Sequence, residues 1–145
     1  MRTKQILFEV SWEVCNKVGG IYTVIRSKLA ESLRAFDDNY FLIGPLFDYN
    51  PEFSEDVSPE SIRIRKKLKQ FDINVLVGRW KVPESPKVIL VAYKDFPHKD
   101  KLLYQLWEDF GVDSMTAGWD YHEPVLFGTV AGKTIEILSG LFAKD

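Results

Sequence analysis

Hydrophobic and polar positions follow one another along the chain in blocks that predict an α/β fold. Short, densely apolar runs are typical of buried strands, and apolar residues spaced three or four apart are typical of amphipathic helices. The predicted strands are Gln5 to Val10, Tyr40 to Ile43, Ile73 to Trp80 and Val88 to Tyr93. The predicted helices are Ile21 to Phe36, Glu60 to Gln70, His98 to Phe110 and Pro124 to about Phe142.

The first two strands and the helix between them form a predicted βαβ unit, which belongs to a parallel sheet. The helix follows a break at Val18-Gly19-Gly20. Its expected buried face consists of Ile21, Val24, Ile25, Leu29, Leu33 and Phe36. The next segment, Leu46 to Pro59, is predicted to be a polar loop, and Gly111 to Glu123 an irregular one. Only Pro83 to Pro86 join the last two strands, so those strands should pair antiparallel.

Composition limits the classes of protein to which the chain can belong. Its 145 residues fit one domain, and 46% hydrophobic with 14% aromatic residues exclude intrinsic disorder. A net charge of -2 argues against a dedicated nucleic-acid binder. The single cysteine, Cys15, permits no internal disulfide and is expected to be a small buried residue. With no long apolar run and no leader pattern, we expect a cytoplasmic protein that does not enter a membrane.

Several candidate motifs fail on spacing or context. Gly128 to Thr134 has one residue too few for a phosphate-binding loop and lies in a helical pattern. His122-Glu123 has Leu126 where a zinc-protease helix needs a second His. The basic run from Arg63 to Lys69 is interpreted as a solvated helix face near acidic residues. We assign His98 and His122 no catalytic role, and we predict no metal and no cofactor.

One segment combines the features of an anion site. Lys17, Gly19 and Gly20 lie between the first strand and the first helix. Glycines let a ligand approach the backbone, and a helix N-terminus offers unpaired N–H groups with a partial positive charge. Open α/β sheets bind ligands at this edge, beyond the carboxyl ends of their strands. The alternative interpretation is a tight strand-to-helix turn with an exposed lysine.

The same segment carries a family resemblance. Leu7 to Val24, LFEVSWEVCNKVGGIYTV, closely resembles the N-terminal segment of glycogen synthases of the animal and fungal type, which form glycosyltransferase family 3. Later blocks are similar to that family in the same order: Asp38 to Pro45, Gly78 to Trp80, Pro86 to Leu90, and Glu123 to Gly128. In the last block His122, Glu123 and Pro124 depart from the family's usual Asn-Asp-Ala.

The resemblance implies a Rossmann-like N-terminal lobe of a two-lobed, GT-B type glycosyltransferase. Its sheet would be mostly parallel with one antiparallel hairpin, and the whole chain, residues 1–145, would be this single, incomplete lobe. The implied reaction is retaining transfer of glucose from UDP-glucose or ADP-glucose to the non-reducing end of an α-1,4-glucan, without a metal. Lys17, Gly19 and Gly20 match the family's contact to the donor diphosphate.

The resemblance also sets limits on what to expect. The family's catalytic residues lie outside these blocks, largely in a C-terminal lobe, so the chain alone is expected to be inactive and the donor base cannot be read. A different function also remains open, a non-catalytic glucan-binding or assembly module. Its sugar-stacking candidates are Trp12, Trp80, Trp107 and Trp119, although tryptophans are more often buried.

Overall fold

A computed structural model describes residues 4–111 and 118–145 of the chain, and within them it is an α/β structure. Five strands are present: β1 (Leu7–Val10), β2 (Tyr40–Pro45), β3 (Phe53–Glu55), β4 (Val75–Trp80) and β5 (Lys87–Val91). Four α-helices accompany them: α1 (Gly20–Phe36), α2 (Pro59–Lys69), α3 (Lys99–Phe110) and α4 (Trp119–Phe142). Short 3-10 turns at Asp37–Asn39 and Tyr93–Asp95 link elements.

The strands form one sheet in the order β1-β2-β5-β4-β3. β1, β2 and β5 pair in parallel, whereas β4 pairs antiparallel with both β5 and β3. Only β4 therefore runs against the other strands of this sheet. This confirms the predicted βαβ unit and the predicted antiparallel hairpin.

The alternation of side chains along the strands divides the interior into two cores. Tyr40 and Leu42 of β2 belong to the core beneath α1, while Phe41 and Ile43 face the core beneath α2 and α4. The second core also takes in Leu102 and the aromatic residues that follow β5. The sheet thus separates α1 from α2 and α4.

The predicted buried face of α1 is wrong in part. Ile25 and Leu29 are buried as expected, but Ile21 and Val24 are exposed, and Tyr22 is buried in their place. The first turn of α1 is oriented by Tyr22, whose ring packs edge-to-face on Trp80 at 5.5 Å. Turning Tyr22 inward leaves its two aliphatic neighbours on the solvent side.

Several predicted strand ends shift by one or two residues, and two other predictions need larger corrections. The segment Leu46 to Pro59 is not all loop, because Phe53–Glu55 pair with β4, and Phe53 is buried opposite Trp80. The last helix begins at Trp119 rather than Pro124. The Gly118 carbonyl accepts the N–H groups of Tyr121 and His122 at 3.1 Å, which extends the helix N-terminally. Residues 112–117 of the predicted irregular loop lie outside the described residues.

Helix α4 is long and apolar enough, by length and composition alone, to cross a membrane. Core helices share that property, and α4 buries one face on the sheet. Its buried residues are Leu126, Phe127, Val130, Ala131, Thr134, Leu138 and Phe142. Most of these belong to the core shared with α2, so α4 packs one face into that core.

The basic run on α2 is a solvated face, as predicted. Arg65 bonds Glu55 of β3 at 3.0 Å, and Arg63 bonds Asp145, beyond the end of α4, at 2.8 Å. Both pairs are well exposed, so each contributes little to stability.

Candidate functional site: the loop between β1 and α1

The nine residues between β1 and α1 lie across the carboxyl ends of the parallel strands. The Ser11 N–H donates to the Ile43 carbonyl at 3.1 Å, which fixes the start of this loop to the end of β2. Val14 lies directly against Gly44, where a Cβ would come within 2.8 Å of the Val14 backbone oxygen. The glycine at position 44 therefore lets the loop lie flat on the sheet edge.

The structure brings Lys17, Gly19 and Gly20 together at the start of α1, all of them exposed. Gly19 is the N-cap residue, and among the described residues no side chain caps this helix end. A Cβ built on Gly20 would meet no atom within 4 Å. Packing within the described chain therefore does not require this glycine, and the space beside its backbone is free for a ligand.

Lys17 brings a full positive charge to this helix end. Its Nζ lies 5.9 Å from the centroid of the Tyr22 ring. The Tyr22 hydroxyl donates to the Glu52 carboxylate and accepts from Arg26 Nη1 at 3.4 Å. Burial, followed by the bond to Glu52, raises the pKa of Tyr22, so it remains a neutral donor. The Tyr22 ring thus lies against the Lys17 ammonium, and the Tyr22 hydroxyl connects α1 to the loop before β3.

Sequence reasoning did not identify Glu13 as part of the site. Its side chain is 6% exposed, yet its Oε1 accepts the Val18 N–H at 3.2 Å and also the Gly19 N–H. The Gly19 N–H is therefore bonded within the loop, and Gly20 begins the run of helical N–H groups that no described side chain caps. The only signal in the sequence was an acid inside the apolar stretch Trp12-Glu13-Val14.

An aromatic cluster packs around Trp12, near the start of the loop. The Trp12 ring packs edge-on against Phe47 and Phe127, with 5.4 Å between centroids in each case, and is tilted against Tyr93 at 5.6 Å. The Tyr93 hydroxyl donates to Glu123 Oε2 at 2.7 Å. Glu123 therefore joins the first turns of α4 to the 3-10 turn that follows β5.

The described residues contain no group of three His, Cys, Asp or Glu side chains arranged to hold a metal ion. His98 lies away from the loop, 3.1 Å from Asp72 Oδ2. Of the tryptophans, Trp80 is fully buried and Trp12 is half-buried, whereas Trp107 and Trp119 are exposed.

Cys15 is buried, as predicted. Burial, with a smaller effect of the Glu52 carboxylate, raises the pKa of its thiol from 9.0 to about 12. The folded chain thus holds this proton more tightly than the unfolded chain does. The stability that this provides is complete below about pH 9 and falls as the pH rises toward 12, by about 1.4 kcal/mol per pH unit at most.

We therefore expect Cys15 to react slowly with Ellman's reagent at pH 8 in the native chain and completely in guanidinium chloride. The physical reason is that the reactive thiolate is almost absent from the folded state. Because the chain has one cysteine, the absorbance reports this thiol alone. Stoichiometric reaction of the folded protein within minutes would contradict the buried, protonated thiol.

Comparison with known proteins identifies the family. A sequence profile of the family described as glycogen synthase matches residues 9–142. This chain belongs to the glycogen synthase family. The liver glycogen [starch] synthase of Homo sapiens is 35% identical over 131 residues, which cover 86% of this chain and 18% of the human protein.

Other family members give the same result. Glycogen [starch] synthase isoform 1 of Saccharomyces cerevisiae is 33% identical over 138 residues, or 86% of this chain and 20% of the yeast protein. The Caenorhabditis elegans glycogen [starch] synthase is 42% identical over 90 residues, or 59% of this chain and 13% of the worm protein. The chain thus spans about a fifth or less of the length of these relatives.

Proposed function

We propose that this chain is the N-terminal, donor-facing lobe of a cytoplasmic glycogen synthase of GT-B architecture. The complete enzyme would transfer glucose, with retention of configuration, from UDP-glucose or ADP-glucose to the non-reducing end of an α-1,4-glucan. Membership of the glycogen synthase family supports the reaction class. One observation carries the site: Lys17 lies beside the uncapped start of α1, with free space next to Gly20.

The proposed chemical role of this site is to neutralise charge. When the bond between glucose and the diphosphate breaks, negative charge builds up on the leaving diphosphate. The Lys17 ammonium and the first N–H groups of α1 are positive and already in place, so they stabilise that charge in the transition state. The free edge beside Gly20 allows the phosphate oxygens to approach the backbone.

The remaining requirements of the reaction fall outside the 145 residues of this chain. We assign the catalytic residues to segments outside this chain, and most of the pocket for the nucleotide base to a C-terminal lobe that would close over the donor. We therefore expect the 145-residue chain alone to incorporate no glucose into glycogen above background. Incorporation by the purified chain would overturn this part of the proposal.

The decisive test measures glucose incorporation into glycogen by the longest reading frame that contains this chain, with UDP-glucose and ADP-glucose compared side by side. Lys17→Ala should lower kcat/KM for the donor by about 10²-fold, in line with the loss of one preorganised charged donor. Lys66→Ala is the matched control, because Lys66 is an exposed lysine on α2, across the sheet. Lys66→Ala should leave kcat/KM within about twofold of the wild-type value.

Each outcome has a distinct meaning. A Lys17→Ala enzyme as active as the Lys66→Ala control would remove Lys17 from the donor site. A folded full-length protein that incorporates glucose from neither donor would contradict glucosyl transfer itself and favour the glucan-binding alternative.

The glucan-binding alternative is favoured by one observation, the exposure of Trp107 and Trp119. Flat exposed rings can stack on sugar faces. If this is the function, the chain should be retarded in glycogen-containing native gels, and Trp107→Ala should lose that retardation. Equal mobility with and without glycogen would exclude it.

A further inference from the structure

We propose that Glu13 is a positioning residue, whose buried carboxylate holds the Val18–Gly19 segment in the conformation that the donor diphosphate requires. The inference deepens the proposed function and rests on it. It concerns a residue that touches neither the reacting atoms nor the donor, and acts through the loop that does.

Glu13 is itself held firmly in place. Its backbone N–H donates to Ser11 Oγ at 3.1 Å, and its carbonyl accepts the Asn16 N–H at 3.2 Å. Ser11 is in turn bonded to the end of β2. Glu13 is thus connected to the sheet through two hydrogen bonds, one to Ser11 and one from Ser11 to Ile43. Its carboxylate in turn holds the Val18–Gly19 segment.

The two bonds from Glu13 Oε1 to the loop decide which N–H groups face a ligand. They are charge-assisted, and their acceptor is buried, since Glu13 is 6% exposed. With Val18 and Gly19 bonded inward, the N–H groups of the first helical residues are those left for the diphosphate. Without Glu13, the backbone of two consecutive loop residues would lose its partner, and the glycine at position 19 would let the loop sample many conformations.

The negative charge of Glu13 opposes the binding of the diphosphate. A carboxylate beneath an anion-binding helix end repels the diphosphate, so its benefit must come from its hydrogen bonds. A glutamine keeps an acceptor oxygen in the same place and removes the charge. The proposal therefore predicts that Glu13→Gln preserves donor binding and that Glu13→Ala does not.

The first measurement uses the 145-residue chain, labelled with ¹⁵N for amide hydrogen exchange. In Glu13→Ala the amides of Val18 and Gly19 should exchange at least tenfold faster, with Glu13→Gln close to the wild type. The matched control is Ser61→Ala, which removes another buried polar group near the start of a helix, where the Ser61 hydroxyl bonds Asp56 at 2.9 Å. Ser61→Ala should leave both loop amides unchanged.

The second measurement is donor kinetics in the longest reading frame that contains this chain. Glu13→Ala should raise KM for the donor at least tenfold with a much smaller fall in kcat, whereas Glu13→Gln and Ser61→Ala should stay within about threefold of the wild-type KM. A KM for Glu13→Ala equal to that of Ser61→Ala would overturn the inference. So would Glu13→Gln failing as badly as Glu13→Ala, because the effect would then follow charge and not the hydrogen bonds.

The inference and the proposed function fail in different ways. An enzyme that needs Lys17 but tolerates Glu13→Ala would overturn only the role of Glu13. An enzyme indifferent to Lys17→Ala would overturn the donor site, and the role of Glu13 in donor binding with it.

Discussion

Trp80→Ala is expected to lower the free energy of unfolding by about 3–5 kcal/mol, the usual cost of truncating a large buried aromatic residue. Trp80 is fully buried in the core beneath α1. It packs edge-on against Tyr22 and pairs with Phe53 of β3. Its loss would leave a cavity that touches both the first turn of α1 and the edge of the sheet. Urea unfolding of the chain, followed by circular dichroism, measures the change.

Trp107→Ala is the matched control for this experiment. The same side chain is removed, but at position 107 it is 52% exposed on α3. We expect a change within about 0.5 kcal/mol, as for most surface substitutions. Equal destabilisation by the two substitutions would contradict the assignment of Trp80 to the core.

Gly44→Ala should have the second largest effect, because it acts on stability and on the candidate site together. The added Cβ would lie 2.8 Å from both the Cβ and the backbone oxygen of Val14. Since β2 is clamped between β1 and β5, the loop must move rather than the strand. Such overpacking typically costs about 1–3 kcal/mol. The displaced loop carries Lys17, so donor binding should weaken as well.

The control is a glycine-to-alanine substitution in α4, which is expected to raise the stability of the chain instead of lowering it. A Cβ at Gly132 meets no atom within 4 Å, and alanine is the better helix former by about 0.5–1 kcal/mol. Gly132→Ala should therefore raise the midpoint of urea unfolding while Gly44→Ala lowers it. If Gly44→Ala were neutral, the close approach of the loop to the sheet would be wrong.

The sheet and most helices could be predicted from local pattern, because a buried strand or an amphipathic helix repeats its signal several times. β3 could not, since it has three residues and buries only Phe53. The orientation of α1 could not either, because Tyr22 is turned inward by Trp80, which is 58 residues away in sequence. Propensity alone placed the start of α4 at Pro124, whereas the backbone bonds to Gly118 extend it.

The candidate site was predictable to a similar degree. Lys17 and the two glycines stood out because strand, glycine turn and helix occur in that order. Glu13 did not stand out, because its role depends on hydrogen bonds to two backbone N–H groups. Those groups approach it only when the loop folds back. The pattern of the sequence reports which residues are apolar, but it does not report which backbone groups a buried carboxylate will meet.

The division of the interior by the sheet has a consequence for protein engineering and for evolution. Among the described residues, Trp12 is the residue of the Lys17 loop that packs against the core between the sheet and the α2 and α4 helices. Substitutions in that core can therefore change the stability of the chain while the proposed donor site beside Lys17 stays unaltered. A substitution that displaces Trp12 is the exception, because it would also displace the loop that carries Lys17.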